Sequence, residues 1–64
     1  MAWYFRVIEQ HDGRWLCRHG STIYDTHDEL PHAADHIREL AANAQPALLI
    51  VHRLDGSVDP AVPI

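Results

Sequence analysis

The fold of this chain is decided by residues 25–44, which read DTHDELPHAADHIRELAANA. Apolar side chains recur in this stretch at intervals of three and four residues, so at about 100° per residue they fall on one side of an α-helix. These side chains are Leu30, Ala33, Ala34, Ile37, Leu40, Ala41 and Ala44. Because four of the seven are alanines, we expect the helix to lie close against a sheet that the rest of the chain supplies.

The start of the helix is predicted from its capping residues. Thr26 and Glu29 have the spacing of a capping box, in which each side chain accepts a hydrogen bond from the other residue's backbone N–H. Asp28 and Glu29 also suit the positive end of the helix dipole. Pro31 costs little only within the first turn. We therefore expect a regular helix from about residue 28 to residue 44, with a tight opening turn before it.

The residues before the helix predict two strands and a shorter third one. Trp3–Glu9 is rich in aromatic and β-branched side chains, which favour a strand. Asp12-Gly13 is a strong hairpin signal, and Trp15–His19 would return alongside as the second strand. Residues 22–24 would form the third.

The residues after the helix predict one buried strand and an edge strand. Residues 47–51 are apolar at every position, which is typical of a central strand covered on both faces. Residues 58–62 would form a short edge strand, limited by Pro60 and Pro63 because proline cannot donate to a sheet.

Together these elements predict one α+β domain over residues 1–64. A three- or four-stranded, mostly antiparallel sheet of order β-β-(β)-α-β would carry the helix on one face. The other face would be half-exposed or covered by a partner, since a chain of this length has little material to cover it. The apolar groups that we expect at an interface are Trp3, Tyr4, Ile8, Val62 and Ile64.

Composition narrows the classes of partner. The formal charge is -4 with five arginines and no lysine, and affinity for nucleic acid comes mainly from Lys and Arg, so the composition argues against nucleic acid as a ligand. No apolar run approaches the roughly 20 residues that span a membrane, and the first residues lack the pattern of a signal peptide. Cys17 is the single cysteine, which excludes an internal disulfide. We expect a cytoplasmic protein.

One group of residues on the predicted helix could bind a metal. His32 and His36 are four positions apart and so are neighbours on a helix surface, and three carboxylates share that side: Asp28, Asp35 and Glu39. Zinc or another divalent transition metal accepts such ligands. The spacing resembles the H-E-x-x-H motif of metalloproteases, but position 33 is alanine, so the general base of that motif is missing. The alternative is a solvated face with pairs such as Asp28–His32.

The order of several short motifs resembles a family of short bacterial ββαβ domains of unknown function. The matching pieces are Asp12-Gly13-Arg14-Trp15, Asp25-Thr26-His27-Asp28-Glu29, Ala33-Ala34 with Leu40-Ala41, and Val51-His52-Arg53-Leu54-Asp55-Gly56-Ser57-Val58. Residues 1–29 also resemble the start of HicB-type antitoxins, through Val7-Ile8-Glu9 followed by Asp12-Gly13. These resemblances imply a fold and carry no catalytic residue onto this chain.

The sequence therefore favours a non-enzymatic binding or regulatory module that acts through protein–protein contacts, most simply as a homodimer. This hypothesis requires no cofactor. Two alternatives stay open. One is a metal-binding protein that uses the helix histidines and carboxylates, and the other is an antitoxin-like partner of a small toxin.

Overall fold

One helix lies on one face of a five-stranded sheet in this protein, for which a computed structural model describes residues 2–64. The elements are β1 (Trp3–Glu9), β2 (Trp15–His19), β3 (Thr22–His27), α1 (Leu30–Ala41), β4 (Ala47–His52) and β5 (Val62–Pro63). The strands lie in the order β3-β2-β1-β4-β5, and all neighbours are antiparallel except β1 and β4. The predicted α+β class and mostly antiparallel sheet are confirmed, with one strand more than the four at most expected.

The core lies between α1 and the sheet face that it covers. Alternation along β1 turns Phe5 and Val7 toward the helix, and Cys17 on β2 lies beside Val7 in register. The alanine stripe of the helix is confirmed, since Ala33, Ile37 and Ala41 are buried and Leu30, Ala34, Leu40 and Ala44 pack around them. The small side chains let the helix backbone approach the sheet closely enough for this thin layer to be filled.

The start of the helix differs from the prediction. Strand β3 continues to His27, and Thr26 pairs with Leu16 in the sheet, so the predicted Thr26–Glu29 capping box is wrong. Glu29 is the residue that caps the helix, and its side chain makes no capping hydrogen bond. Pro31 lies in the first turn. Backbone N–H groups in this turn have no hydrogen-bond acceptor within the helix, so the absence of an N–H in proline removes no helical hydrogen bond. Ladder hydrogen bonds to β2 outweigh the local capping signal.

The end of the helix also differs, because it stops at Ala41, and residues 42–44 form a turn. Ala44 closes this turn by donating its N–H to the carbonyl of Ala41 at 2.9 Å. The peptide bond between Gln45 and Pro46 is cis, and β4 begins at the residue that follows Pro46.

The strands after the helix are arranged differently from the prediction. Strand β1, not β4, is central, and β4 is buried only on its helix side, because Leu48 and Ile50 remain partly exposed. The predicted edge strand over residues 58–62 is reduced to a single bridge from Val58 to His52 and to the two-residue strand β5. Pro60 interrupts the ladder between them because it has no N–H to donate.

A register shift in the β2–β3 pair decides which residues of β3 face the helix. Cys17 pairs with Asp25, but the next residue, Arg18, pairs with Ile23, so Tyr24 is skipped. As a result, Asp25 and His27 project on the helix side, next to Cys17, and Ile23 projects on the opposite side. Irregular pairing of this kind commonly re-aims side chains near the edge of a sheet.

Candidate functional site

Two features of the molecule could carry function. The first is the sheet face opposite the helix, called here the open face. Its apolar residues are Tyr4, Ile8, Leu16, Ile23, Leu48 and Ile50, and its basic residues are Arg6, Arg18 and His52. Exposure reaches 48% for Tyr4 and 62% for Ile23. None of the described strand residues on this face is acidic, although the chain as a whole carries nine carboxylates.

Arg6 occupies the middle of the open face, on the central strand. Its Nη1 donates to Nε2 of His52 on β4 at 2.8 Å. Since a guanidinium has only donors, Nε2 of His52 must be the acceptor. This hydrogen bond fixes the position of the Arg6 side chain but leaves its charge unneutralised. Arg18, on β2, donates from Nε to the backbone oxygen of Gly20 at 2.8 Å, which also leaves its charge uncompensated.

These two arginines differ from the other three in the chain. Within residues 2–64, neither Arg6 nor Arg18 forms an ion pair with a carboxylate. The others each do: Arg14 with Asp28 at 3.4 Å, Arg38 with Asp35 at 2.9 Å, and Arg53 with Asp59 at 2.7 Å. The positive charge without an intramolecular partner is therefore concentrated on the open face.

The structure distributes the predicted interface residues over both sides of the sheet. Tyr4 and Ile8 lie on the open face. Trp3 pairs with Ala47 and Val62 pairs with Leu49, so these two alternate onto the helix side, where both are about half exposed. Ile64 packs against the core.

The second feature is a group of side chains between β3 and α1, called here the β3–α1 cluster and consisting of Cys17, Asp25, His27 and His36. Their ligand atoms all lie within 4.8 Å of one another, the only such group of three or more within residues 2–64. Asp25 and His27 alternate on β3, and His36 faces them from the helix.

Three atoms of this cluster form a tight triangle. His27 Nε2 lies 3.1 Å from Asp25 Oδ1, and His36 Nδ1 lies 3.1 Å from the same oxygen and 3.0 Å from Oδ2. The two ring nitrogens are 3.2 Å apart. The imidazole rings meet edge to face, with centroids 5.2 Å apart and planes inclined by 64°.

Cys17 lies at the buried end of the cluster. Its side chain is fully buried, and Sγ donates weakly to the backbone oxygen of Ala33 at 3.6 Å. Burial raises the pKa of the Cys17 thiol to about 11, and the negative charge of Asp25 and a hydrogen bond to it act in the same direction. The thiol is therefore protonated at neutral pH. A buried, protonated thiol is typical of a small core residue and not of a reactive thiolate.

Of the five metal ligands predicted from the helix, the structure brings only His36 into this cluster. His32 is exposed and lies 3.5 Å from Glu29, while Asp28 and Asp35 pair with arginines and Glu39 is exposed. Asp25 and His27 were not among the predicted ligands, because residues 25–27 were assigned to the tight turn that opens the helix and not to a strand. Their alternation on a strand opposite Cys17 is the signal that would have identified them, once β3 was extended past Tyr24.

Comparisons with known proteins add nothing to this geometry. No protein-family model, curated protein or solved structure matches the chain. The resemblances to short bacterial domains and to HicB-type antitoxins therefore stay predictions. Residues 2–64 contain no helix with the length and apolar character needed to span a membrane.

Proposed function

We propose that this chain is a cytoplasmic protein-binding module whose open face docks on a protein surface that combines apolar and acidic side chains. The observation that carries this proposal is the absence, within residues 2–64, of any carboxylate partner for Arg6 and Arg18, when the other three arginines are all paired. An open face that mixes exposed apolar groups with arginines that have no carboxylate partner has the composition of a protein interface, in which aromatic residues and Arg are enriched.

The charge of the open face favours a different protein over a second copy. Two copies packed face to face would bring four unneutralised arginines into one desolvated layer, and like charges in an interface cost several kcal/mol. A partner with Asp or Glu among apolar residues would instead form charge-assisted hydrogen bonds with the guanidinium groups. A homodimer through this face, which the sequence predicts, is therefore the alternative to the proposed acidic partner.

The shape of this surface also favours a macromolecule. Small ligands are usually held in concave sites that bury most of their surface, and residues 2–64 form no such cavity. A sheet face accepts a helix or a second sheet instead, since packed layers of secondary structure are how apolar faces are buried.

Selection of peptides from a displayed random library would test the proposal. Peptides selected on the wild-type chain should be enriched in Asp and Glu among apolar residues, and binding should weaken at least about tenfold, or about 1.4 kcal/mol, in the double variant Arg6→Gln/Arg18→Gln. The matched control is Arg14→Gln/Arg38→Gln, which removes two arginines that already have partners. Peptides without acidic enrichment, or an equal loss in the control, would overturn the proposal.

Light scattering at micromolar concentration distinguishes a monomer that binds a different protein from a homodimer. The wild-type chain should be monomeric. A dimer that dissociates in Ile8→Asp would show that the open face is covered by a second copy, and the proposed acidic partner would then be wrong.

A further inference from the structure

The β3–α1 cluster joins two elements through groups that ligate metals. We propose that Asp25, His27 and His36 bind one divalent transition metal ion of the zinc class, with Cys17 remaining a thiol behind the site. Neutral imidazole and carboxylate oxygen are ordinary ligands of Zn²⁺, and two histidines with one carboxylate are also a known set for other divalent metals. This site is independent of the open face and of the function proposed for it.

The distances in the triangle agree with a tetrahedral ion. With bonds of about 2.0–2.1 Å from zinc to nitrogen or oxygen, two ligand atoms of a regular tetrahedron lie about 3.3–3.4 Å apart. The three edges of the triangle measure 3.1, 3.1 and 3.2 Å. Displacements of a few tenths of an ångström would therefore place all three atoms around one ion, with a fourth position left for water.

The protons available cannot account for all three contacts. If both converging ring nitrogens carry a proton, both donate to Asp25, and the 3.2 Å contact between the two nitrogens is then left without a hydrogen bond. If only one of the two nitrogens carries a proton, that proton is too few for the three contacts. The lone pair of the other nitrogen then faces either the carboxylate of Asp25 or the protonated ring. A cation at the centre would make all three contacts favourable, since each atom would present a lone pair to it.

The surroundings permit a cation. No arginine within residues 2–64 forms an ion pair with Asp25, so the groups that face its charge are the two imidazoles and the Cys17 thiol. The side chains are 40% exposed for Asp25, 24% for His27 and 28% for His36, so an ion can enter from solvent while the ligands stay held by their elements. Sγ of Cys17 is buried beneath them and directed at the oxygen of Ala33.

A metal ion at this position would connect the outer strand of the sheet to the helix. Strand β3 has a neighbour on one side only, and its residues are mostly exposed. Small domains commonly gain stability from a metal that the unfolded chain cannot bind equally well. We therefore assign the site a structural role in holding β3 against α1.

Calorimetric titration of the full chain with Zn²⁺ should show one ion per chain. His36→Gln and Asp25→Asn should each weaken binding by more than about tenfold, since even the loss of an outer-shell partner costs about 10–100-fold. The matched control is His32→Gln, which alters the neighbouring histidine on the same helix. Cys17→Ala should retain the site. No saturable heat, or a loss in His32→Gln or Cys17→Ala equal to that in His36→Gln, would overturn the proposal.

Nuclear magnetic resonance of the histidine rings gives a readout that depends on no variant. Zinc should shift Nε2 of His27 and Nδ1 of His36 in the wild-type chain, and should leave the rings of His11 and His32 unchanged. Equal shifts at all the histidines would indicate adventitious binding only and would contradict the proposal, whether or not the variants fold.

Discussion

Alkaline pH should destabilise this protein through its only thiol. Cys17 is fully buried, and burial, followed by the charge and hydrogen bond of Asp25, raises its pKa from 9.0 to about 11. At about 1.4 kcal/mol per unit, this shift corresponds to roughly 2.7 kcal/mol of folding free energy. A 64-residue domain has a total stability of only about 3–10 kcal/mol, so the loss would be a large fraction of it.

The sign follows from the direction of the shift. Because the folded pKa lies above the unfolded one, the folded state holds the thiol proton more tightly than the unfolded chain does. The contribution of Cys17 is therefore complete below pH 9.0, falls as the pH rises through this interval, and is lost above about pH 11. The free energy of unfolding should decline by about 1.4 kcal/mol per pH unit inside this window.

Urea unfolding at several pH values from about 8 to about 11.5, with a chelator present, would measure this decline. Cys17→Ala is the control, because it removes the titrating group and leaves both tyrosines in place. The wild-type curve should fall by roughly 2.7 kcal/mol more than the variant curve. The ultraviolet absorbance of the thiolate reports the ionisation of Cys17 directly. Parallel curves, or a native thiolate that appears near pH 9, would refute the reasoning.

Three further predictions concern stability and can be checked by chemical denaturation. Ile37→Val should cost about 0.5–1.5 kcal/mol because Ile37 is fully buried, whereas Ile23→Val on the open face should change stability by less than about 0.5 kcal/mol; equal costs would contradict the assigned core. Glu29→Ser should stabilise by about 0.5–1 kcal/mol, since the present N-cap makes no side-chain bond; a loss would show that the 3.5 Å contact with His32 matters more. Gly56→Ala should cost roughly 1–2 kcal/mol because its φ is +91° although a Cβ would meet nothing within 4 Å; an unchanged midpoint would mean that the turn relaxes.

The parts of the fold that depend on local pattern could be predicted from the sequence. The alanine stripe follows from three- and four-residue spacing, and the faces of β1 follow from simple alternation, which places Phe5 and Val7 together. The order of the strands in the sheet depends instead on contacts between residues that are distant in the sequence. The parallel pairing of β1 with β4 joins residues from opposite ends of the chain, and no local pattern specifies it.

The β3–α1 cluster shows the same limit at the level of a site. The pair His32 and His36 was found because its spacing is local to one helix. Asp25 and His27 meet His36 only because β3 continues past a skipped residue and turns both side chains toward the helix. The Thr26-x-x-Glu29 motif led to the wrong prediction because it is a valid local signal for the start of a helix. In the structure, hydrogen bonding of residues 25–27 to β2 outweighs this signal, and these residues remain in the strand.

The parallel pairing of β1 with β4 also sets the order in which the protein can become stable during synthesis. The β1-β2-β3 meander depends on short hairpins, which form early and quickly. One edge of β1 nevertheless stays open until residues 47–52 have left the ribosome, and an open strand edge is a template for pairing with other chains. The nascent chain is thus exposed to misassociation until β4 emerges. A truncation before Ala47 should yield an aggregating meander rather than a smaller folded protein.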